Sequence, residues 1–262
     1  MYRMNFENCG QVIAILKDDK DKKKNKEFFI TDKAKDCVGE VFREIKLKDK
    51  PHLHFQPIPD KKKERSITYV TGASGSGKSF WTKMYVDEYK KLYPKREVFL
   101  ISSIDDDSSI DKIKNLNRIK LEGDFLRDEV SAKDFKDSCL IFDDTDVITN
   151  KFVKGKVTAL LNSVLETGRH FNIEVVYTSH IACDGLATKR ILNECKSVVI
   201  FPSGLGNKSI KYLLDNYFGL DKEQIRKIKN VNSRWVAINK TYPMCVVGAK
   251  EAFILNDRDE DD

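Results

Sequence analysis

The sequence of 262 residues has no long apolar run and no hydrophobic segment at its start. A membrane-spanning helix needs about 18 or more consecutive apolar residues, and no such stretch is present. The opening residues Met-Tyr-Arg-Met-Asn-Phe-Glu-Asn lack the apolar core of a secretory signal peptide. We therefore expect a chain without a transmembrane span, in an intracellular compartment.

Paired cysteines are also missing. The six cysteines, at positions 9, 37, 139, 183, 195 and 245, form no Cys-x-x-Cys motif, which is the spacing typical of zinc sites and redox-active disulfides. Cys139 and Cys245 lie in apolar runs that are suited to buried strands. This cysteine usage predicts a reduced compartment and argues against a cysteine-ligated metal.

Charge of one sign does not dominate the chain. The formal net charge is +6 and the isoelectric point is about 8.8, while 34% of the residues are charged and both signs are mixed. The basic runs at 17–26 and 61–65 are compatible with a polyanionic partner, and equally with solvated loops. Composition alone therefore identifies no partner.

A glycine-rich motif lies between a strand pattern and a helix pattern. The apolar and β-branched run Ile67–Thr71 precedes it, and apolar residues at 80, 81, 84, 85 and 89 follow it at helical spacing. The motif has the form G-x-x-x-x-G-K-[ST]. Its residues are Gly72, Ala73, Ser74, Gly75, Ser76, Gly77, Lys78 and Ser79. The order of strand, glycine loop and helix is that of a phosphate-binding P-loop.

Each residue type in this motif suits the binding of a nucleoside triphosphate. Glycines let backbone N–H groups turn toward the β-phosphate, and the N-terminus of the following helix adds a partial positive charge. We expect Lys78 to reach the β- and γ-phosphates and the Ser79 hydroxyl to ligate Mg²⁺. The motif thus predicts ATP and Mg²⁺ as ligands. The alternative interpretation is a glycine-rich turn that binds nothing.

A second motif, Ser-Cys-Leu-Ile-Phe-Asp-Asp at 138–144, ends an apolar run in two acids. Such a run predicts a central parallel strand, and ligands bind at the carboxyl ends of these strands. Asp143 is the candidate Walker B residue, which holds Mg²⁺ through its water shell. Strand alternation predicts that Asp144 points to the other side, where it would orient or deprotonate the attacking water. Alternatively, the strand simply ends in solvated acids.

A third segment, at 166–180, joins a helix end to another buried strand and ends in the polar sequence Thr-Ser-His. This polar end lies at the same sheet edge as Asp143, which fits a sensor that hydrogen-bonds the γ-phosphate or the lytic water. His180 is the first candidate for the sensor and Ser179 the second. The alternative is a histidine that only caps the strand.

The same segment contains a candidate arginine finger. Gly168 is a typical helix C-cap residue, and Arg169 follows it in the loop before the strand. An arginine in such a loop could reach the active site of a neighbouring subunit. Two alternatives stay open. One is an ion pair of Arg169 with Glu166 or with an aspartate of its own chain, and the other is a finger at Arg190 instead.

Helix and strand patterns alternate from about residue 65 to about residue 203, which predicts an α/β fold with a mostly parallel central sheet and helices on both faces. The strand pattern Glu97–Ser103 comes between the P-loop strand and the Asp143 strand. We interpret it as the extra strand of the additional-strand (ASCE, RecA/FtsK-like) P-loop NTPases.

Three domains are predicted along the chain: a β-rich N-terminal extension at 1–60, a P-loop ATPase domain at 61–255 and an acidic, disordered tail at 256–262. A short helix is expected near 33–46 within the extension. A C-terminal β-hairpin is expected from Arg234–Asn239 and Met244–Ile254.

Three motifs together resemble those of the genome-packaging ATPases of large DNA viruses and virophages. They are Gly-Ala-Ser-Gly-Ser-Gly-Lys-Ser, Leu-Ile-Phe-Asp-Asp, and Gly-Arg-His-Phe-Asn-Ile with Thr-Ser-His. That family includes the poxvirus-type packaging ATPase and belongs to the FtsK–HerA superfamily of DNA pumps. The resemblance covers roughly 65–203, and residues 1–60 contribute nothing to it.

The resemblance implies that Lys78 and Ser79 bind nucleotide and Mg²⁺ and that Asp143 is the Walker B residue. His180 would occupy the sensor position, which is often glutamine in cellular relatives. Asp144 stands where those relatives have glutamate, so the water would sit closer to the strand or be bridged.

The hypothesis from the sequence is therefore an ATPase that translocates double-stranded DNA and packages a viral genome into a preformed capsid. It would act as a homo-oligomeric ring, a pentamer or hexamer, docked on a capsid or portal-type vertex component. The resemblance implies the host cytoplasm or virus factory, or the virion, as its location. Candidate pore loops lie at 145–156 and 203–208.

Two rival functions stay open at this point. A P-loop kinase of nucleotides or nucleosides would need an arginine-rich lid, and none follows the third strand. An ATP-switched morphogenesis protein of a phage or virus would act at a membrane, and the chain lacks an apolar run for one.

Overall fold

The computed structural model describes residues 1–62, 65–183, 185–203 and 206–255. The chain falls into two compact units, one made of residues 1–62 with the chain from Lys196 onward, and one made of residues 63–195. The predicted tail at 256–262 lies outside the described residues. None of the helices among the described residues has the length and apolar character that crossing a bilayer requires.

The N-terminal part of the first unit is rich in short strands. They are β1 (Arg3–Asn5), β2 (Gln11–Asp18), β3 (Lys26–Thr31), β4 (Val41–Phe42), β5 (Glu44–Lys46) and β6 (Leu53–Gln56). Five of them form a sheet in the order β4-β1-β3-β2-β6, in which every neighbour is antiparallel. The rings of Phe28 and Phe55, 4.9 Å apart between centroids and fully buried, pack on this sheet.

The prediction of a helix near 33–46 is wrong. The structure has a single 3-10 turn at Ala34–Asp36, followed by β4 and β5. Strand β4 pairs with β1, and β5 pairs with a strand near the C-terminus of the same unit. Backbone hydrogen bonds to partners distant in sequence therefore override the local helical pattern.

The second unit alternates strands and helices. Its elements are β7 (Ile67–Thr71), α1 (Lys78–Leu92), β8 (Glu97–Ser102), β9 (Leu116–Ile119), α2 (Asp124–Arg127), β10 (Ser138–Asp143), α3 (Lys151–Thr167), β11 (Glu174–Ser179) and α4 (Gly185–Glu194). Its five strands pair in the order β7-β11-β10-β8-β9, and each pair is parallel. The expected α/β fold with a parallel sheet is confirmed.

The strand that separates the P-loop strand from the Asp143 strand is not the one that sequence order suggested. Strand β11 lies between β7 and β10 and is hydrogen-bonded to both. Strand β8, which precedes β10 in the chain, pairs on the other side of β10. Because a crossover connection can skip a position in a parallel sheet, the order along the chain does not determine the order in space.

Helix α3 has specific interactions at both ends. The side chain of Asn150 accepts hydrogen bonds from the N–H groups of Phe152 and Val153, which caps the first turn. At the other end, the Arg65 guanidinium donates to the carbonyl oxygens of Val164 and Leu165 at 2.7 and 2.8 Å. These contacts orient the helix before it leads into β11.

Gly168 follows α3. A glycine is needed at this position because a side chain would collide with a neighbouring residue, not because the backbone conformation requires one. Gly168 is the C-cap residue of α3, as predicted, and its φ of −58° is right-handed. A Cβ at this position would lie 2.7 Å from Nη1 of Arg65. Any side chain here would therefore displace the guanidinium that binds the end of α3.

The C-terminal part of the first unit contains β12 (Ser197–Ile200), α5 (Asn207–Tyr212), a π-helical turn (Leu213–Tyr217), α6 (Lys222–Lys229), β13 (Val236–Asn239), β14 (Cys245–Gly248) and β15 (Glu251–Ile254). The strands pair antiparallel in the order β12-β13-β14-β15-β5. The predicted second strand of the C-terminal hairpin, Met244–Ile254, is in fact two strands, because the chain turns between β14 and β15.

The bounds of the two units differ from the predicted domains. Because β15 pairs with β5 (Glu251 opposite Lys46), the end of the chain groups with its beginning. The division at 1–60, 61–255 and 256–262 stays a prediction about functional parts of the chain.

Candidate active site

The glycine-rich motif forms a loop between β7 and α1 at the carboxyl edge of the parallel sheet. Gly75 and Gly77 have φ of 71° and 113°, a region in which residues with a Cβ are strained. The N–H of Gly72 donates to the carbonyl oxygen of Ser179 at 3.2 Å, which joins the loop to the end of β11. Helix α1 begins at Lys78, so its N-terminus lies directly at the loop.

Lys78 is buried, with only 5% of its surface exposed. Its ammonium donates to the carbonyl oxygen of Gly72 at 3.0 Å and lies 3.1 Å from Nδ1 of His180. It is also 3.6 Å from Oδ1 of Asp144. A buried ammonium with these three acceptors is a positive charge held in a defined position at the loop.

His180 lies between two other predicted site residues. Its Nδ1 faces the Lys78 ammonium, and its Nε2 lies 2.9 Å from Oδ2 of Asp144. Because an ammonium can only donate, Nδ1 is the acceptor and Nε2 carries the hydrogen that is given to Asp144. The ring therefore connects the P-loop lysine to the second acid of the pair.

The two acids do not point to opposite sides, and the alternation argument is wrong at this position. Asp143 ends β10, whereas Asp144 follows it in a left-handed conformation with φ of 46°. The turn brings both carboxylates to one hydroxyl: Oγ1 of Thr178 is 2.8 Å from Oδ1 of Asp143 and 3.2 Å from Oδ1 of Asp144. Both acids thus face the same space.

Burial raises the pKa of Asp143 to about 6, and the negative charge of Asp144 adds to this effect. The carboxyl accepts a hydrogen bond from Thr178 and lies 3.4 Å from Oγ of Ser102. An acid whose charged form is unfavourable gains from a nearby cation.

The residues present fit Mg²⁺ as the predicted ion. Asp143 is buried and would supply a carboxylate oxygen, and Ser79 in the first turn of α1 would supply a hydroxyl. Among the described residues, no group of three or more His, Cys, Asp or Glu side chains could hold a metal by itself. A sparse set of hard oxygen donors suits Mg²⁺, which retains water and binds substrate phosphates.

Ser179, the second candidate for the sensor, is engaged elsewhere. Its hydroxyl donates to Oδ2 of Asp146 at 2.8 Å and accepts from the N–H of Ile181. These bonds join the loop after β10 to the end of β11. The geometry therefore favours His180 over Ser179 as the side chain next to Lys78.

The two candidate arginine fingers lie away from this cluster. Arg169 is exposed and precedes the first residue of β11, whereas His180 follows the last one. A strand of six residues spans about 20 Å, so Arg169 does not reach the site of its own chain. Arg190 is paired with Glu166, with 3.1 Å between Nη1 and Oε1.

Two residues with clear structural roles, one at the site and one at the far end of α3, were missed by the sequence analysis. Thr178 was seen only as part of a polar strand end, and its contact with both acids depends on the pairing of β10 with β11. Arg65 was seen only as part of a basic run, although it binds the end of α3. Neither contact has a signature in the local sequence.

No protein-family model matches the chain. A protein of Sputnik virophage called uncharacterized protein V3 is 39% identical to it over 199 residues. The matched region covers 75% of this chain and 79% of the virophage protein.

Solved structures with a similar fold come from viral and conjugative systems. The DNA-packaging ATPase B204 of Sulfolobus turreted icosahedral virus superposes with a TM-score of 0.50 at 15% identity, covering 71% of this chain and 97% of B204. The pCW3 conjugation coupling protein TcpA, solved with ATPγS, gives a TM-score of 0.50 at 10% identity, covering 95% of this chain and 78% of TcpA. The resemblance that the motifs predicted is confirmed for the fold.

Proposed function

Because the chain belongs to the family of the Sputnik virophage protein V3 and has the fold of FtsK–HerA-type ATPases, we propose that it is an ATP-hydrolysing motor that translocates double-stranded DNA. Its task in this proposal is to package a viral genome into a preformed capsid, at a capsid or portal-type vertex component. The observation that carries the proposal is the contact of Lys78, His180 and Asp144 beside the P-loop.

In the proposed reaction, a water molecule attacks the γ-phosphorus of ATP and its proton passes to a carboxylate oxygen of Asp144. The bond between the γ-phosphorus and the β–γ bridging oxygen breaks, and its electron pair stays on that oxygen. The products are ADP and inorganic phosphate. Lys78 binds the β- and γ-phosphates, and the backbone of 72–77 surrounds the β-phosphate.

Mg²⁺, which Ser79 and Asp143 would hold, neutralises negative charge on the phosphate oxygens when it is bound. His180 acts as the sensor in this proposal. Its ring contacts both Lys78 and Asp144. When a bound triphosphate attracts the Lys78 ammonium, the hydrogen bond between Lys78 and His180 changes. The change reaches Asp144 through the hydrogen bond on the other side of the His180 ring.

The proposed assembly is a ring of five or six copies with ATP bound between subunits. Arg169 of one subunit would enter the site of its neighbour and stabilise charge in the transition state. This is supported by the position of Arg169 at the opposite end of β11 from Lys78, which makes a role within its own subunit geometrically implausible.

Positive charge that suits a DNA backbone is concentrated in one unit. The first unit, residues 1–62 and 196–262, contains 26 lysine and arginine residues against 20 aspartate and glutamate residues, whereas residues 63–195 contain 21 of each. Lys46, Lys48, Lys50 and Lys250 border one hollow of about 360 Å³ in the first unit. Lys46 is paired with Glu44 and Glu251, and Lys250 donates to the carbonyl oxygens of Pro51 and Leu53. We therefore propose phosphate contacts at Lys48 and Lys50, with a salt-dependent affinity.

The function is tested by the ATPase rate with and without double-stranded DNA over a range of protein concentrations. We expect the rate per subunit to rise with protein concentration, because a shared site needs its neighbour, and to rise several-fold further with DNA. A rate of ATP hydrolysis per subunit that changes neither with protein concentration nor with DNA would contradict the ring motor. Phosphate transfer to a nucleoside or nucleotide acceptor would support the kinase instead.

Asp144→Asn is expected to retain ATP binding and to lose about 10²–10⁴-fold in turnover, since an amide cannot accept the proton of the attacking water. Asp143→Asn should in addition raise the Mg²⁺ concentration needed for half-maximal rate. Single-turnover hydrolysis and binding of a fluorescent ATP analogue would measure the two effects.

Asp146→Asn is the matched control for these variants, because its carboxyl lies on the same loop but accepts from Ser179. It should hydrolyse ATP within a few-fold of the wild type, since an amide oxygen can still accept that bond. Wild-type turnover in Asp144→Asn would place the base at another residue.

A further inference from the structure

The hydroxyl of Thr178 is the meeting point of the two acids. Thr178 is fully buried near the carboxyl end of β11. Its Oγ1 lies 2.8 Å from Oδ1 of Asp143 and 3.2 Å from Oδ1 of Asp144, and it accepts the backbone N–H of Asp144 at 3.0 Å. Three groups of the acid pair thus converge on one side-chain oxygen.

A hydroxyl has one hydrogen to donate and two lone pairs with which to accept. The N–H of Asp144 uses one lone pair, and the hydrogen can go to only one carboxylate at a time. Asp143 is the nearer acceptor by 0.4 Å, as the two distances of 2.8 and 3.2 Å indicate. Asp144 takes its side-chain hydrogen bond from Nε2 of His180 instead.

The hydrogen bond from the N–H of Asp144 to Thr178 also restrains the backbone of Asp144. Asp144 adopts φ of 46°, which is unfavourable for a residue with a Cβ and persists only when the surroundings hold it. The bond from its N–H to Thr178 is one such restraint, and it determines the direction in which the Asp144 side chain leaves the backbone. Thr178 therefore acts on Asp143 by donating and on Asp144 by accepting.

We propose that Thr178 is a positioning residue that sets the relative orientation of Asp143 and Asp144 for metal binding and water activation. This rests on the proposed ATPase function of the same site. The hydrogen bonds of the Thr178 hydroxyl go to Asp143 and Asp144 rather than to the phosphate loop, so its effect should fall on the Mg²⁺ requirement and on turnover, and ATP affinity should stay unchanged.

The test compares Thr178→Val, which keeps the shape and removes the hydroxyl, with Thr178→Ser, which keeps the hydroxyl and removes a methyl group. We expect Thr178→Val to lose about tenfold or more in turnover and to need about tenfold more Mg²⁺ for half-maximal rate. Its affinity for ATP should stay within about twofold of the wild type. Thr178→Ser should recover most of both losses.

Thr82→Val is the matched control. Thr82 is a fully buried threonine of α1 whose hydroxyl has no hydrogen-bond partner among the described residues. It should behave like the wild type in turnover and in Mg²⁺ requirement. If it loses as much as Thr178→Val, the effect belongs to buried threonines in general, and the proposal is overturned.

Equal losses in Thr178→Val and Thr178→Ser would also overturn the proposal, because the hydroxyl that Thr178→Ser keeps would then restore nothing, and the losses would follow from altered packing at this position. So would wild-type behaviour of Thr178→Val. If Thr178→Val does not fold, as judged by circular dichroism and thermal melting, Thr178→Ala takes its place, since it differs from Thr178→Ser only in the hydroxyl oxygen. Matching results for those two would again contradict the proposal.

Failure of the proposed function gives a different result. Wild-type ATP hydrolysis that DNA does not stimulate would count against the motor and would leave the Thr178 comparison intact. If the wild type hydrolyses no ATP, the Mg²⁺ dependence of fluorescent ATP-analogue binding still separates Thr178→Val from Thr178→Ser. Identical Mg²⁺ dependence in that assay would overturn the positioning role.

Discussion

Lys78→Ala is expected to bind ATP at least about a hundredfold more weakly than the wild type and to show no measurable turnover. The ammonium is buried and is held by the carbonyl of Gly72 and by His180, so it is already positioned for a phosphate. Charge-assisted hydrogen bonds to phosphate are among the strongest in proteins. Backbone N–H groups alone cannot offset the charge of a triphosphate.

The loss of turnover should exceed the loss of binding. Lys78 also lies 3.6 Å from Asp144, so its removal leaves a buried carboxylate without its nearest cation. Titration calorimetry with a slowly hydrolysed ATP analogue would measure the binding, and phosphate release the turnover.

Lys83→Ala is the control for this variant. Lys83 lies in the same helix and pairs with Asp87 on a more exposed face, with 2.5 Å between Nζ and Oδ2. It should bind and hydrolyse ATP like the wild type, since exposed pairs contribute little. Unchanged nucleotide affinity in Lys78→Ala would rule out the P-loop assignment.

Arg169→Ala is expected to lose about 10³–10⁵-fold in turnover while its nucleotide affinity stays within about twofold. An arginine finger acts on charge that develops in the transition state rather than on bound ATP. The position of Arg169 beyond the amino end of β11 separates it from Lys78 of its own chain by the length of the strand. We therefore attribute the expected loss of rate to the site of a neighbouring subunit, which the mixing experiment tests.

Mixing two inactive variants distinguishes action between subunits from action within one. An Arg169→Ala subunit retains its P-loop, and a Lys78→Ala subunit still offers its arginine. Mixed rings should therefore regain activity at interfaces where the two defects do not coincide. If mixed oligomers form and no activity returns, Arg169 acts within its own chain or only supports its loop.

Arg190→Ala is the matched control for the finger. Arg190 is the competing candidate, and it is paired with Glu166 at a half-exposed position. We expect its removal to change turnover by no more than a few-fold. A loss as large as that of Arg169→Ala, with rescue on mixing, would assign the finger to Arg190.

The P-loop and the acid strand could be predicted from sequence because their signals are local. A glycine loop followed by lysine and a helix needs backbone freedom and a helix N-terminus within a few residues, and the structure has β7, the loop and α1 in that order. The apolar run before Asp143 likewise predicts a buried parallel strand, and every residue of β10 is buried.

The direction of Asp144 could not be predicted in this way. Strand alternation holds only while the chain stays in the strand, and Asp144 leaves it with a left-handed φ. In the hydrogen bond that holds this turn, the N–H of Asp144 donates to the hydroxyl of Thr178, which is 34 residues away along the chain. The partner that decides the geometry is therefore outside any local pattern.

The sequence by itself determined which groups make up the candidate site: the phosphate loop with Lys78, the acid pair and the polar strand end with His180. Only the tertiary structure decided that β11 lies between β7 and β10, that His180 joins Lys78 to Asp144, and that the segment at 33–46 forms strands instead of a helix. The physical reason is the distance along the chain over which the deciding interactions act. Loop conformation and side-chain periodicity depend on neighbouring residues, whereas strand order and the contacts across it depend on pairings between segments far apart in the chain.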